Sequence, residues 1–155
     1  MFREMRRKDR QMSEQDTKVV LQKAQFGTLS MVNKENNPYG IPISFAYTDG
    51  AIYLHCALAG YKLENIEHNA NVCFSAVIDI QLMPQKFSTK FKSVVVFGKI
   101  STVSDEEDKR KGFIALVKKY SPDFYDEGMK YIEKAFARTK VLRIEILSMT
   151  GKEHE

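Results

Sequence analysis

Within Tyr53-Leu-His-Cys-Ala-Leu-Ala-Gly-Tyr-Lys-Leu-Glu-Asn-Ile66, a histidine stands beside a cysteine, and a glycine and a lysine follow. Those residue types suit three chemistries: a nucleophile with its base, half of a metal site, or a seat for a phosphate. The alternation around His55 and Cys56 is that of a strand, where adjacent side chains point to opposite faces, so a dyad between them is poorly placed. Cys56 shares its face with Ile52 and Leu54 and reads as a small buried hydrophobe. His55, His68 and His154 with Cys56 and Cys73 show none of the close ligand pairs that zinc sites use, so no metal is expected.

The phosphate reading fares better. Gly60 permits a tight turn off the strand, and Lys62 then falls in the first turn of a short helix, where free N–H groups and the dipole favour an anion. A second feature lies upstream, in Tyr39-Gly-Ile-Pro-Ile-Ser-Phe-Ala-Tyr47. Tyr39, Ile41, Ile43, Phe45 and Tyr47 share one bulky face, while Gly40, Pro42, Ser44 and Ala46 leave the other nearly bare. A flat ring can approach such a backbone closely, and Pro42 marks an edge or an interruption whose unpaired peptide groups can bond a ring edge. Lysines after turns are common, and small residues also serve close sheet packing, so each feature has a purely structural reading. Together they describe a ligand with a phosphate at one end and a flat heteroaromatic ring at the other, the shape of flavin mononucleotide (FMN).

The elements that must position these residues follow from periodicity. Ser13 is a helix N-cap ahead of Val20, Leu21 and Ala24. From Phe26 to Ile100 the period is mainly two, giving strands at Phe26–Val32, Tyr39–Tyr47, Ile52–Ala57, Val72–Ile80 and Phe91–Val103. Asp49-Gly50 is a hairpin turn, Lys62–Asn69 a short helix, and Gln81–Lys90 a polar loop. Ser104-Asp-Glu-Glu107 fits a capping box and opens a helix bearing Phe113, Leu116, Val117 and Tyr120, which Ser121-Pro122 ends. A second helix carries Tyr125, Met129, Ile132 and Phe136, with Gly128 weakening its middle. Val141–Leu147 closes the sheet. The expected class is mainly β with α: a six-stranded antiparallel split β-barrel with flanking helices, and a helical insertion at 104–137.

With 155 residues, the chain fits one domain over 1–155. Its net charge is +4, and five bases against two acids in the first ten residues place most of that in a basic arm, 1–12. Such an arm suits a phosphate, a membrane surface or a partner subunit, and charge alone does not choose. No aromatic interleaving accompanies it, which weighs against nucleic acid. The N-terminus has no apolar run, no segment approaches the ~20 apolar residues of a membrane span, and the two cysteines read as free thiols. A cytoplasmic protein is expected.

Several stretches, in order, resemble the nitroimidazole-resistance family within the pyridoxamine 5'-phosphate oxidase-like, FMN-binding split barrels. They are Met5-Arg-Arg-Lys-Asp-Arg10, Pro38-Tyr-Gly-Ile-Pro-Ile-Ser44, Tyr53-Leu-His-Cys-Ala57 with Gly60 and Lys62-Leu-Glu-Asn-Ile66, and Ser88-Thr-Lys-Phe-Lys-Ser-Val94 with Gly98. Arg143-Ile-Glu-Ile146 and Thr150-Gly-Lys152 end the resemblance. It implies a homodimer with one FMN in each of two clefts between subunits. Pro42, Ile43 and Ser44 would lie along the isoalloxazine, and His55, Cys56 and Ala57 would end the strand beside it. Lys62 would hold the phosphate with help from Asn65, while Thr89, Lys90 and Ser93 would meet the cofactor edge or the facing subunit. Tyr61 stands where many relatives have histidine, and Phe91 where they often have tyrosine.

The implied activity is an FMN-dependent oxidoreductase of nitroreductase type. Electrons would come from NADH or NADPH and pass through FMN to a nitroaromatic or other small planar acceptor, with His55 as proton donor. Two alternatives stand beside it. One is a non-catalytic barrel holding flavin, a deazaflavin or haem; the other is a nucleic-acid regulator acting through the basic arm.

Overall fold

A computed structural model describes residues 1–155. Seven strands form one wholly antiparallel sheet: β1 (Gly27–Val32), β2 (Pro38–Ile43), β3 (Ala46–Thr48), β4 (Ala51–Cys56), β5 (Asn71–Met83), β6 (Ser88–Thr102) and β7 (Lys140–His154). Four helices accompany it: α1 (Glu14–Lys23), α2 (Tyr61–His68), α3 (Glu106–Tyr120) and α4 (Tyr125–Ala135). None is long and apolar enough to cross a membrane.

The order across the sheet is β2-β1-β5-β6-β7-β4-β3, so the two edge strands are neighbours in sequence. Only Ser44 and Phe45 join them. Three Cα steps reach at most about 11 Å, so the edges must stand close and the sheet must coil back on itself. The barrel is split along this seam, because β2 and β3 do not pair. The expected six strands become seven here: Tyr39–Tyr47 reads as one run, and the structure breaks it at the residues that step from one edge to the other.

Alternation along each strand fills the interior with Leu29, Met31, Ile52, Leu54, Phe74, Val94, Val96, Leu142 and Ile144. Complete removal of such side chains from water is worth about 1.5–3 kcal/mol each before chain entropy is counted. α1 starts at Ser13, whose hydroxyl accepts the Asp16 N–H at 3.1 Å. On the outer face of β4, Ala51 and Tyr53 pack with Phe113 and Ile132 of the helical insertion in a second cluster. Tyr53 donates its hydroxyl to Asp108 at 2.6 Å, fixing α3 to the strand. Gly128 has a packing reason: a Cβ there would strike Val117, so its bareness lets α3 and α4 close on each other.

Other boundaries differ from the sequence reading. The N-cap of α3 is Asp105, which accepts the Asp108 N–H at 2.8 Å, and not Ser104. Gln81–Lys90 is no loop; β5 and β6 run on as a paired hairpin, Gln81 with Lys90 and Met83 with Ser88, around a turn at Pro84–Lys86. The final strand extends through His154, which pairs with Phe91. The basic arm lies on the body: Phe2 stacks on Phe97 at 5.0 Å and Met12 is buried, while Arg7 and Lys8 pair with Asp9 and Glu4 within the arm itself.

Candidate functional site

β4 sorts its chemistry by face, as strand alternation requires. Cys56 is half-buried against the barrel interior. Burial pushes its thiol up, more than the charges of Lys62 and Lys140 pull it down, so it is a poor nucleophile. His55 points outward, its ring 6.5 Å from that of Phe113 and nearly parallel to it. Burial, and then the charge of Lys62, hold its imidazole below the ordinary value, which leaves it neutral at pH 7. Both shifts place Lys62 within electrostatic reach of the strand end.

Beyond Ala57, which is exposed, the chain turns at Gly60, whose φ of 152° disfavours any side chain. Gly60 is also the N-cap of α2, and no side chain caps the free N–H groups there. A Cβ on Gly60 would meet nothing within 4 Å. Open space and uncapped amides thus lie at the start of the helix whose second residue is Lys62, a donor set that suits a phosphate. Glu64 in the same first turn partly opposes it.

Asn65 lies three residues after Lys62 on the same helix; it is 3% exposed, its Nδ2 has no partner, and it lines a polar recess of about 420 Å³ with Tyr61, Glu64 and Glu67. The hydroxyl of Tyr61 accepts from Asn33 at 3.0 Å, so this residue serves the turn before β2.

Gly40 and Pro42 on β2 and Ser44 just past it are exposed, as the bare face requires, whereas Ala46, expected on the same face, opens β3 and is buried because the chain changes edges between them. The Ile43 side chain packs on the barrel interior, which leaves only its backbone for a ligand. The peptide groups at the seam are not free. The Phe45 N–H donates to the Tyr120 hydroxyl at 2.9 Å, and its carbonyl accepts from Lys119 Nζ at 2.9 Å. The Tyr120 hydroxyl in turn donates to the Gln25 carbonyl at 2.6 Å. Burial lowers Lys119 to about 8. The end of α3 therefore holds the backbone beside Ser44 in one geometry.

Ser44 and His55 both line a recess of about 550 Å³ between β4 and the helices α3 and α4. Sequence reasoning assigned Phe113 and Tyr120 only to an apolar helix face and missed Lys119, Glu127 and Tyr131. The one signal was Lys118-Lys119-Tyr120 at a helix end, which a surface explains equally well.

Thr89, Lys90 and Ser93 do not join this group within one chain. Ser93 pairs with Lys152 near the His154 end of β7 and Thr89 and Lys90 pair with Leu82 and Gln81 of β5 just beyond it, whereas His55 and Cys56 pair with Val141 and Lys140 at the start of β7. Roughly 40 Å of strand contour separates those ends. Ser93 donates to the Lys152 carbonyl at 3.4 Å, His154 Nδ1 lies 3.0 Å from the Thr89 carbonyl, and Phe91 packs edge-on to His154. No group of three His, Cys, Asp or Glu side chains is close enough to hold a metal.

Residues 13–153 match the family model described as pyridoxamine 5'-phosphate oxidase. A protein of Bacteroides thetaiotaomicron, provisionally assigned to 5-nitroimidazole antibiotic resistance, is 27% identical over 92% of this chain and 86% of its own, with a TM-score of 0.80. A conserved hypothetical protein of Mycobacterium tuberculosis is 18% identical over 98% of this chain and 91% of its own, with a TM-score of 0.84. An FAD-binding protein of Mycobacterium smegmatis is 20% identical over 94% of this chain and 98% of its own, with a TM-score of 0.69. At these identities the two mycobacterial structures speak for the fold alone. No curated protein matches the chain.

Proposed function

The chain belongs to the pyridoxamine 5'-phosphate oxidase family, and from that premise we propose that it is an FMN-binding oxidoreductase of nitroreductase type, acting as a homodimer on nitroaromatic or other small planar acceptors. The observation that carries this reading is the convergence of Gly60, Lys62 and the uncapped start of α2 beside His55, which lines one recess with Ser44. Lys62 and the first amides of α2 hold the phosphate. Pro42, the Ile43 backbone and Ser44 face the ring, and Ala57 leaves the approach clear. FMN, when bound, supplies electron transfer from NADH or NADPH to the acceptor.

The chain's own residues position, shield and tune. Tyr120 and Lys119 fix the backbone at Ser44, so the ring face is set before the ligand arrives. His55 moves the proton at its ring nitrogen. Its depressed value confines the protonated form to the acidic side of neutrality, and at higher pH the ring serves as a neutral hydrogen-bonding group.

The homodimer reading rests on bare apolar surface. Val77, Ile80, Leu82, Val95 and Phe97 are exposed on β5 and β6, and Phe87 at the hairpin tip is 97% exposed. A second copy covering this surface also brings Thr89, Lys90 and Ser93 towards a partner's Lys62 group, the one way these residues serve the same cofactor.

The test is the visible spectrum of the purified protein, followed by anaerobic mixing with NADH or NADPH and then with a 5-nitroimidazole. Flavin absorbance that bleaches with a nicotinamide and returns with the nitro compound is the expected result. A colourless protein that ignores added FMN overturns the flavin assignment. Bound flavin that no nicotinamide bleaches and no nitro compound reoxidises makes the protein a non-catalytic carrier.

A further inference from the structure

The recess between β4 and the helical insertion has a composition of its own. Phe113, Leu116, Val117, Tyr120, Phe124 and Tyr131 form its apolar walls, and its volume is about 550 Å³. Among the lining residues Glu127 is the one acid, and there is neither lysine nor arginine. Glu127 makes no ion pair, whereas Glu133 and Asp108 on the same two helices are paired with Arg110 and Lys111. The neighbouring base, Lys119, is not among the lining residues; its ammonium donates to the Phe45 carbonyl and lies 5.3 Å from the Tyr120 ring. The His55 imidazole, held down by burial and by Lys62, adds no positive charge at pH 7.

Aromatic walls and one unpaired carboxylate are what recognise an aromatic cation: the rings accept the flat body and share the charge through their faces, and the carboxylate neutralises it. We propose that this recess binds small aromatic ammonium compounds of one or two fused rings, and that the helical insertion thereby sets substrate class. The cavity lies within the range that encloses small organic ligands. Naming the bound compound a substrate rests on the flavin reading above, because Ser44 and His55 are shared between the recess and the flavin seat; the binding itself does not.

The experiment uses three probes of one shape and three charges: tryptamine, tryptophol and indole-3-propionate. The chain has no tryptophan, so indole fluorescence anisotropy reports the probe alone. With the protein as purified, tryptamine is expected to bind about fivefold to tenfold more tightly than tryptophol, and indole-3-propionate the least tightly. Glu127→Gln, on an exposed helix position, brings tryptamine to the level of tryptophol and leaves tryptophol unchanged. Equal binding of all three probes, no binding of any, or an unaltered tryptamine preference in Glu127→Gln each overturns the proposal. Flavin absorbance recorded on the same samples separates the two readings. Retained flavin without tryptamine binding sinks this inference alone, and tryptamine binding in a protein that never takes up flavin sinks the flavin reading alone.

Discussion

The seam between β2 and β3 and the hairpin of β5 and β6 are both places where the sheet runs out of partners, and the chain treats them in opposite ways. At the seam every exposed backbone group of Phe45 is met from within, by Tyr120 and Lys119 of α3. At the hairpin Ile80, Leu82 and Phe87 stand 60%, 72% and 97% exposed. A polar gap can be closed by two side chains of the same molecule. A bare apolar surface needs another surface, because burial scales with area. The seam is therefore built to be rigid alone, whereas the hairpin is the surface that the proposed homodimer would cover.

The sharpest break of this contrast is charge at the hairpin. Ile80→Asp with Leu82→Asp is expected to convert the dimer wholly to monomer by sedimentation equilibrium, and to strip flavin with it if the partner contributes Thr89, Lys90 and Ser93. A parent protein that already sediments as a monomer refutes the reading of this surface. Next in size is His55→Gln, expected to lower turnover by on the order of a hundredfold while flavin is retained. In the parent, turnover falls as pH rises through the histidine's value, which burial and Lys62 hold below the ordinary imidazole range; a pH profile flat across the acidic side of neutrality removes the proton-donor role.

Lys62→Ala tests the cationic seat beside the seam. Loss of one charge-assisted contact costs roughly 1.5–3 kcal/mol, about a tenfold to hundredfold weaker FMN titration. Unchanged affinity moves the anchor elsewhere. The smallest effect is expected at the seam itself. Tyr120→Phe leaves the Phe45 N–H without its acceptor and costs about 1–3 kcal/mol in urea unfolding. A loss of stability without a change in sedimentation confirms that the two regions are independent.

What could be read beforehand followed the range of the interactions. The two-faced strand from Tyr39, the separation of His55 from Cys56 and the turn at Gly60 are period-two or single-residue effects, and they stand as expected. The break at Ser44–Phe45 was invisible because alternation continues through it, from Ile43 to Phe45 to Tyr47. Only the sheet order shows that the chain changes edges there. The hairpin at Gln81–Lys90 was hidden by its polarity and by Pro84, which sits in the turn and not in the strand. Tyr120 and Glu127 were illegible as site residues because what they face is set by how α3 and α4 dock on β4, some 55 or more residues away in sequence, as Tyr53 and Asp108 are.

The sheet order also bears on when a working molecule first exists. β4 has two neighbours, β3 and β7, and β7 follows all six other strands in the chain. Until β7 is synthesised, no strand of the rest of the sheet pairs with the β3–β4 hairpin. β1, β2, β5 and β6 can pair as they emerge, but the strand carrying His55 cannot take its place. Assembly of the candidate site is therefore a late event governed by contacts distant in sequence, which folding makes slow. A nascent or shortened chain lacking β7 is expected to present a partly built sheet with two raw edges, a species for chaperones rather than for flavin.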